Sequence, residues 1–192
     1  MKGAGPYGGA MSAYGPLWRV IRPLREGATA SWMRSYYEHL YDMSFRARNV
    51  EEVAKLAIRH AHATFRSEIV AVALLDGDEW HVLPYRQNDT MAPPLRLPMS
   101  TGENGPSYEP GQIVEIPDVE AFSREFAWIG PLADRGVRSL VSAAFGSLIH
   151  GRGYLSFASY GDQHYSDDEY VLMCLHALAA GIGFDHVGAS AA

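Results

Sequence analysis

The chain has 192 residues, 47% hydrophobic and 20% charged, which suits one ordinary globular domain with room for a short appendage. Its net charge of −6 argues against a nucleic-acid backbone as main partner, and a single cysteine, Cys174, rules out an internal disulfide and a multi-cysteine zinc site. No apolar run reaches the ~18–20 residues that cross a bilayer and no signal core opens the chain, so a cytoplasmic protein without a membrane partner is expected.

Residues 1–30 are rich in Gly, Pro and small side chains and predict a flexible extension. Within them Leu17, Trp18, Val20, Ile21 and Leu24 form an apolar patch that either docks on the domain or stays disordered. A single domain is expected over 31–187, with a disordered tail at 188–192. Ser31 predicts a helix cap, with Met33, Tyr36, Tyr37, Leu40 and Ser44 on one stripe. Asn49 and Glu52 have capping-box spacing, and Val50, Val53, Ala54, Ala57, Ile58, Ala61 and Phe65 make the apolar face of a second helix. Glu68 to Leu75 predicts a strand buried on both faces, followed by a strand from Glu79 to Pro84, a polar turn at 87–89 and a strand near Leu95 to Pro98. Gln112 to Ile116 reads as a further strand, and Asp118 as the cap of a short helix to Phe126.

Residues 136–160 predict two strands folded back on each other, turning at 150–153. Leu140, Ser142 and Ala144 share one face of the first strand, and Val141, Ala143 and Phe145 the other. In the second, Leu155, Phe157 and Ser159 oppose Tyr154, Ser156 and Ala158. Ser166-Asp167-Asp168-Glu169 caps a last helix, whose stripe is Tyr170, Met173, Cys174, Ala177, Leu178, Gly181 and Ile182. The order predicts an α+β domain: a central antiparallel sheet of about five or six strands, terminal helices on one face, and loops with short helices over the other.

Several segments in this order carry a resemblance. They are the helix before strand Ile69–Leu75, the Gly-rich loop 102–105, Val114-Glu115-Ile116-Pro117-Asp118-Val119, Leu132 to Ser139 ending in Gly-Val-Arg-Ser, Gly153-Tyr154-Leu155, and the final helix cap. Over about residues 34–186 the chain resembles a GAF domain, with the GAF/PAS-like layering just described. Ala144 stands where that family usually has a proline. The resemblance implies a cytoplasmic small-molecule sensor, often a homodimer through its terminal helices. Nothing resembling an output domain follows residue 186, so the output is expected in a separate signalling partner or the dimer mate.

Candidate ligand-binding residues are Tyr85, Tyr108, Phe122, Phe126, Trp128 and Arg135 from segment 85–135, with Ser142 and Ser156 as hydroxyls on the pocket floor. The alternative is that these aromatics fill space between loops and sheet, leaving a degenerate domain used only for dimerisation or docking. The loop 102–105 reads as a turn, since no Walker-type Lys-Ser/Thr follows it. His60 and His62 diverge on a helix, His39, His176 and His186 are expected exposed or interfacial, and no metal is expected. Haem held through one histidine leaves no spacing to read, so the cofactor stays open. Cys174 reads as a buried small hydrophobe. One thiol cannot close the disulfide cycle of the methionine sulfoxide reductases in the family, and no catalytic constellation stands out, so an enzyme is not expected.

Overall fold

The computed structural model describes residues 11–12, 15–16, 19–21, 33–65, 67–83, 85–87, 90–98, 109–149 and 151–189. The expected cap Ser31, the Gly-rich loop 102–105, Tyr108 and His150 lie outside them. Strands β1 (Met11–Ser12) and β2 (Gly15–Pro16) pair with each other, and β3 (Arg19–Ile21) joins the main sheet. Helices α1 (Met33–Phe45) and α2 (Val50–Thr64) precede β4 (Ile69–Asp76), β5 (Glu79–Val82), β6 (Tyr85–Gln87), β7 (Thr90–Ala92) and β8 (Leu95–Pro98). Then come β9 (Ile113–Ile116), α3 (Val119–Glu125), a 3-10 turn (Ala127–Ile129) and α4 (Gly130–Ala133). The chain closes with β10 (Ser139–Ser147), β11 (Gly151–Ser159) and α5 (Asp167–Ala189).

The sheet runs β3-β9-β10-β11-β4-β5-β8, and all its pairings are antiparallel. Six of these strands make the expected α+β sheet. Three short ones enlarge it: β3 on the free edge of β9, and the hairpin β6–β7 beside the start of β4. That hairpin reverses between Gln87 and Thr90, where a polar turn was expected; the two short strands flanking it were not. β5 ends at Val82, short of the expected Pro84, although Leu83 N–H still bonds to Val72 C=O at 2.9 Å and its side chain joins the helix-side core as alternation from Val82 requires; the chain restarts as strand at Tyr85. The β10–β11 turn falls between Ser147 and Gly151, earlier than expected, and Gly151 at φ +72° already opens β11.

Local chemistry fixes the helix starts. Asn49 Oδ1 accepts from Glu52 N–H at 2.9 Å, and Glu52 Oε2 accepts from Arg48 N–H at 2.8 Å. Asp118 Oδ1 accepts from Ala121 N–H, and Ser166 and Glu169 cap each other reciprocally. Lys55 pairs with Glu51 at 2.7 Å in the favourable i,i+4 orientation.

Helices α1, α2 and α5 cover one face of the sheet, with α5 in the middle between β10 and the other two helices. Val141, Ala143, Phe145, Leu155 and Phe157 point into that layer, and Phe145 stacks on Phe184 at 5.7 Å. Because α5 is covered from both sides, its burial runs almost all round, and Ile182, expected on the stripe, is 45% exposed. Gly181 lets it sit this close: a Cβ there would stand 2.6 Å from the Gly146 carbonyl oxygen. The stretch Asp167–Gly188 is long and apolar enough to cross a bilayer, although no unbroken apolar run in it is. With 67% of its apolar window buried inside the fold, it is a core helix. The helix continues two residues into the segment expected as a disordered tail.

On α1 the inward face is rotated from the expected stripe. Met43, His39 and Asp42 are buried while Tyr37 is 58% exposed. The polar residues His39 and Asp42 hid this face from a reading based on apolar spacing. At the position where proline was expected, Ala144 N–H donates to Gln112 C=O at 2.8 Å, a bond that a proline lacks the N–H to make.

Candidate ligand-binding site

The face of the sheet turned away from the helices carries a cavity of about 120 Å³ that opens to the surface. Its floor comes from β10 and β11: Leu140 and Ser142 on one strand, Tyr154, Ser156 and Ala158 on the other. These are the faces that strict alternation assigns, since Val141, Ala143 and Phe157 are committed to the helices. Ile69, Ala71 and Ala73 of β4 extend the floor, Trp80 and Val82 of β5 and Leu95 and Leu97 of β8 make one wall, and Val114 and Ile116 of β9 the other. The segment around α4 closes it with Trp128, Leu132, Arg135 and Val137.

Arg135 is held by how α4 ends. Asp134 N–H bonds to Gly130 C=O, and Gly136 N–H to Ala133 C=O at 2.8 Å. Gly136 has φ +81°, the left-handed conformation that stops a helix, as its place after Asp134-Arg135 suggests. The Arg135 guanidinium then donates from Nη1 to Tyr85 Oη at 2.7 Å, which ties the β6 strand to the α4 turn. Arg135 itself is exposed, so this pair sits at the mouth.

Two further polar features belong to the lining residues. Ser142 and Ser156 are directly opposed in the β10–β11 register and their hydroxyls bond to each other at 2.9 Å. One proton of the pair remains free to donate. Trp128 Nε1–H is buried and has no hydrogen-bond partner among the described residues. An unmet buried donor of this kind costs about 1–3 kcal/mol.

Of the eight candidate site residues, Tyr85, Trp128, Arg135, Ser142 and Ser156 come together around this cavity. Phe122 and Phe126 stack on each other at 4.4 Å in the layer behind it and are not among the lining residues, while Tyr108 lies outside the described residues. Phe122 meets Trp128 edge-on at 5.9 Å, so its part is to support the indole. Trp80 and Tyr154, 4.9 Å apart, line the cavity without having been singled out. Their only mark in the sequence is their place in the alternation of β5 and β11.

The histidines gather elsewhere. His39 and His176, expected exposed or interfacial, are completely buried between α1, α2 and α5, with the His39 ring 4.8 Å from His60 and 4.4 Å from His176. Burial holds both neutral: the pKa of His39 is pushed down to about 2 and that of His176 to about 3, with neighbouring imidazoles adding to the effect. Both ring nitrogens of His39 lack a hydrogen-bond partner among the described residues. Asp42 anchors the outer side of this cluster, accepting from Arg59 at 2.9 Å and meeting His60 Nε2 at 2.8 Å. Among the described residues no three histidine, cysteine or carboxylate side chains are arranged to hold a metal ion.

No histidine or cysteine is among the described lining residues. Cys174 belongs to the helix-side core, where its thiol donates to Gly111 C=O at 3.4 Å and burial pushes its pKa up to about 12.

No protein-family model and no curated protein sequence matches the chain. Solved structures do. The chromophore-binding domain of a bacteriophytochrome from R. palustris superposes with a TM-score of 0.65 at 11% identity. The match covers 85% of this chain and 64% of that one, so the chain spans a little under two-thirds of its length. The GAF domain of an Acinetobacter phosphoenolpyruvate-protein phosphotransferase gives 0.60 at 14% identity, over 84% of this chain and 96% of that one. The phycoerythrobilin-bound GAF domain of a cyanobacterial phytochrome gives 0.57 at 14% identity, over 83% and 100%. At such identities the likeness speaks for the fold alone, and the fold of this chain is that of a GAF domain.

Proposed function

We propose that this chain is a sensory module that binds a small molecule in the cavity between β10–β11 and the α4 segment and passes occupancy to its terminal helices. The observation that carries this reading is the double use of one pair of strands. Ser142, Tyr154 and Ser156 face the cavity, while Phe145 and Phe157, on the same strands, pack into the layer that holds α5. A shift of the floor therefore bears on α5 through packed side chains. Asp185 of α5 adds a direct tie, accepting from Ser147 Oγ at 2.6 Å and from Ile149 N–H at 3.2 Å at the hairpin tip. A ligand that favours one arrangement of floor and helix shifts the balance between the two by its differential affinity. The receiver is a dimer mate or a separate signalling protein. A binding role in place of a catalytic one is favoured by the lining, which among the described residues holds no acid, histidine or cysteine.

Native mass spectrometry of protein purified from its host tests this reading. Wild type is expected to carry a small-molecule adduct that Trp128→Ala weakens or loses. Repeated absence of any bound or bindable molecule sinks it.

A second reading, a domain that serves only for dimerisation or docking, is favoured by one observation. Tyr37, Tyr41 and Phe45 line up on the outer face of α1, and Phe45 is 74% exposed. Under that reading Trp128→Ala leaves the response of the partner untouched; under ours the response is lost.

A further inference from the structure

The chemistry of the cavity narrows its guest, and this step rests on the sensory reading above. We infer that the site is built for a small monocyclic aromatic carboxylic acid, its ring in the apolar chamber and its carboxylate at the mouth against Arg135. Three observations converge on this class.

The first is size. A chamber of about 120 Å³ is close to the ~150 Å³ engineered cavity that takes up one benzene ring. A cyclic purine nucleotide, with its fused base, sugar and phosphate, or a tetrapyrrole, needs far more room. The second is the wall. Trp80, Tyr154 and Trp128 present aromatic surface, and Ala71, Ala73 and Ala158 leave flat ground between them, which favours a planar guest over a branched aliphatic one. The third is charge. Arg135 is the one charged side chain among the described lining residues, and no carboxylate accompanies it. An aromatic box alone would suit a quaternary ammonium ion, but that cation would meet Arg135 unopposed. A carboxylate instead takes charge-assisted hydrogen bonds from the guanidinium. A ring hydroxyl also suits the spare proton of the Ser142–Ser156 pair.

Tyr85 has a stated part in this arrangement. Its hydroxyl accepts from Arg135 Nη1, which fixes the guanidinium while leaving its other N–H groups for the guest. Arg135→Gln then removes the charge without opening the chamber.

The test is isothermal titration of the full chain with benzoate and with benzamide, its uncharged isostere, on wild type, Arg135→Gln and Arg135→Lys. Circular dichroism checks that each variant is folded. The expected result is saturable one-to-one binding of benzoate, with benzamide about tenfold weaker or more. Arg135→Gln weakens benzoate by about tenfold and leaves benzamide unchanged, while Arg135→Lys recovers part of the benzoate affinity. Equal binding of benzoate and benzamide overturns the acid assignment. Binding of haemin, biliverdin or cyclic GMP with no binding of either probe overturns the size class and leaves the sensory reading standing. No binding of any of the five overturns this inference, and the native mass of host-purified protein then decides separately whether the sensory reading survives.

Discussion

At the scale of single residues, two polar groups in apolar surroundings set the energetics. On the cavity floor the Ser142 and Ser156 hydroxyls bond to each other. Removing one partner strands the other, whereas removing both leaves a smooth apolar patch. Ser142→Ala and Ser156→Ala are each expected to lose about 1 kcal/mol in urea unfolding, and the double variant less than their sum. Strict additivity would mean that the pair contributes nothing as a pair. His39 and His176 set the response to acid. Unfolded, both protonate near 6.5; folded, they stay neutral down to about 2 and 3. Below 6.5 the unfolded chain therefore binds more protons than the folded one, so stability is lost as pH falls from 6.5 towards 3. The slope is about 1.4 kcal/mol per pH unit for each histidine. His39→Leu is expected to halve the histidine part of this slope, read from urea midpoints at pH 7, 6 and 5. An unchanged slope would show that His39 is hydrated and free to titrate.

At the scale of elements, much of the fold was legible. The caps at Asn49, Asp118 and Ser166 are short-range chemistry written in consecutive residues, and alternation along β10 and β11 separated the helix face from the cavity face. What stayed hidden depends on packing between distant segments. The inward face of α1 carries His39 and Asp42, whose partners His60, Arg59 and His176 lie on other helices, so its polarity disguised it. The hairpin β6–β7 forms against the start of β4, and nothing local marks that edge as open. Of the site, the Tyr85–Arg135 contact spans fifty positions in sequence, and only the fold joins the two. The tight seat of α5 on β10 gives a test at this scale. Gly181→Ala places a methyl 2.6 Å from a backbone oxygen that cannot rotate away, so a loss of about 1–3 kcal/mol is expected on thermal or urea unfolding. A neutral or stabilising result would mean that α5 and β10 lie further apart than described.

At the scale of the whole molecule, the sheet divides the protein into a side that carries the cavity and a helical side. The helical side leaves Tyr41 56% and Phe45 74% exposed, their rings 4.9 Å apart, with Ile182 of α5 also exposed. If two chains meet through α1 and α5, Tyr41→Glu with Phe45→Glu is expected to convert dimer to monomer in sedimentation velocity. The thermal stability of the domain itself should change little, because neither side chain is part of the core. In the proposed function, occupancy of the cavity on one side is felt by α5 on the other. Hydrogen exchange tests it directly, on protein as purified from its host and on the same protein after denaturation, dialysis and refolding to strip any guest. Faster exchange is expected in the stripped protein at β10, β11 and residues 127–137, and with them in the middle of α5 around Tyr170 to Phe184. Faster exchange at the cavity with α5 unchanged would contradict it.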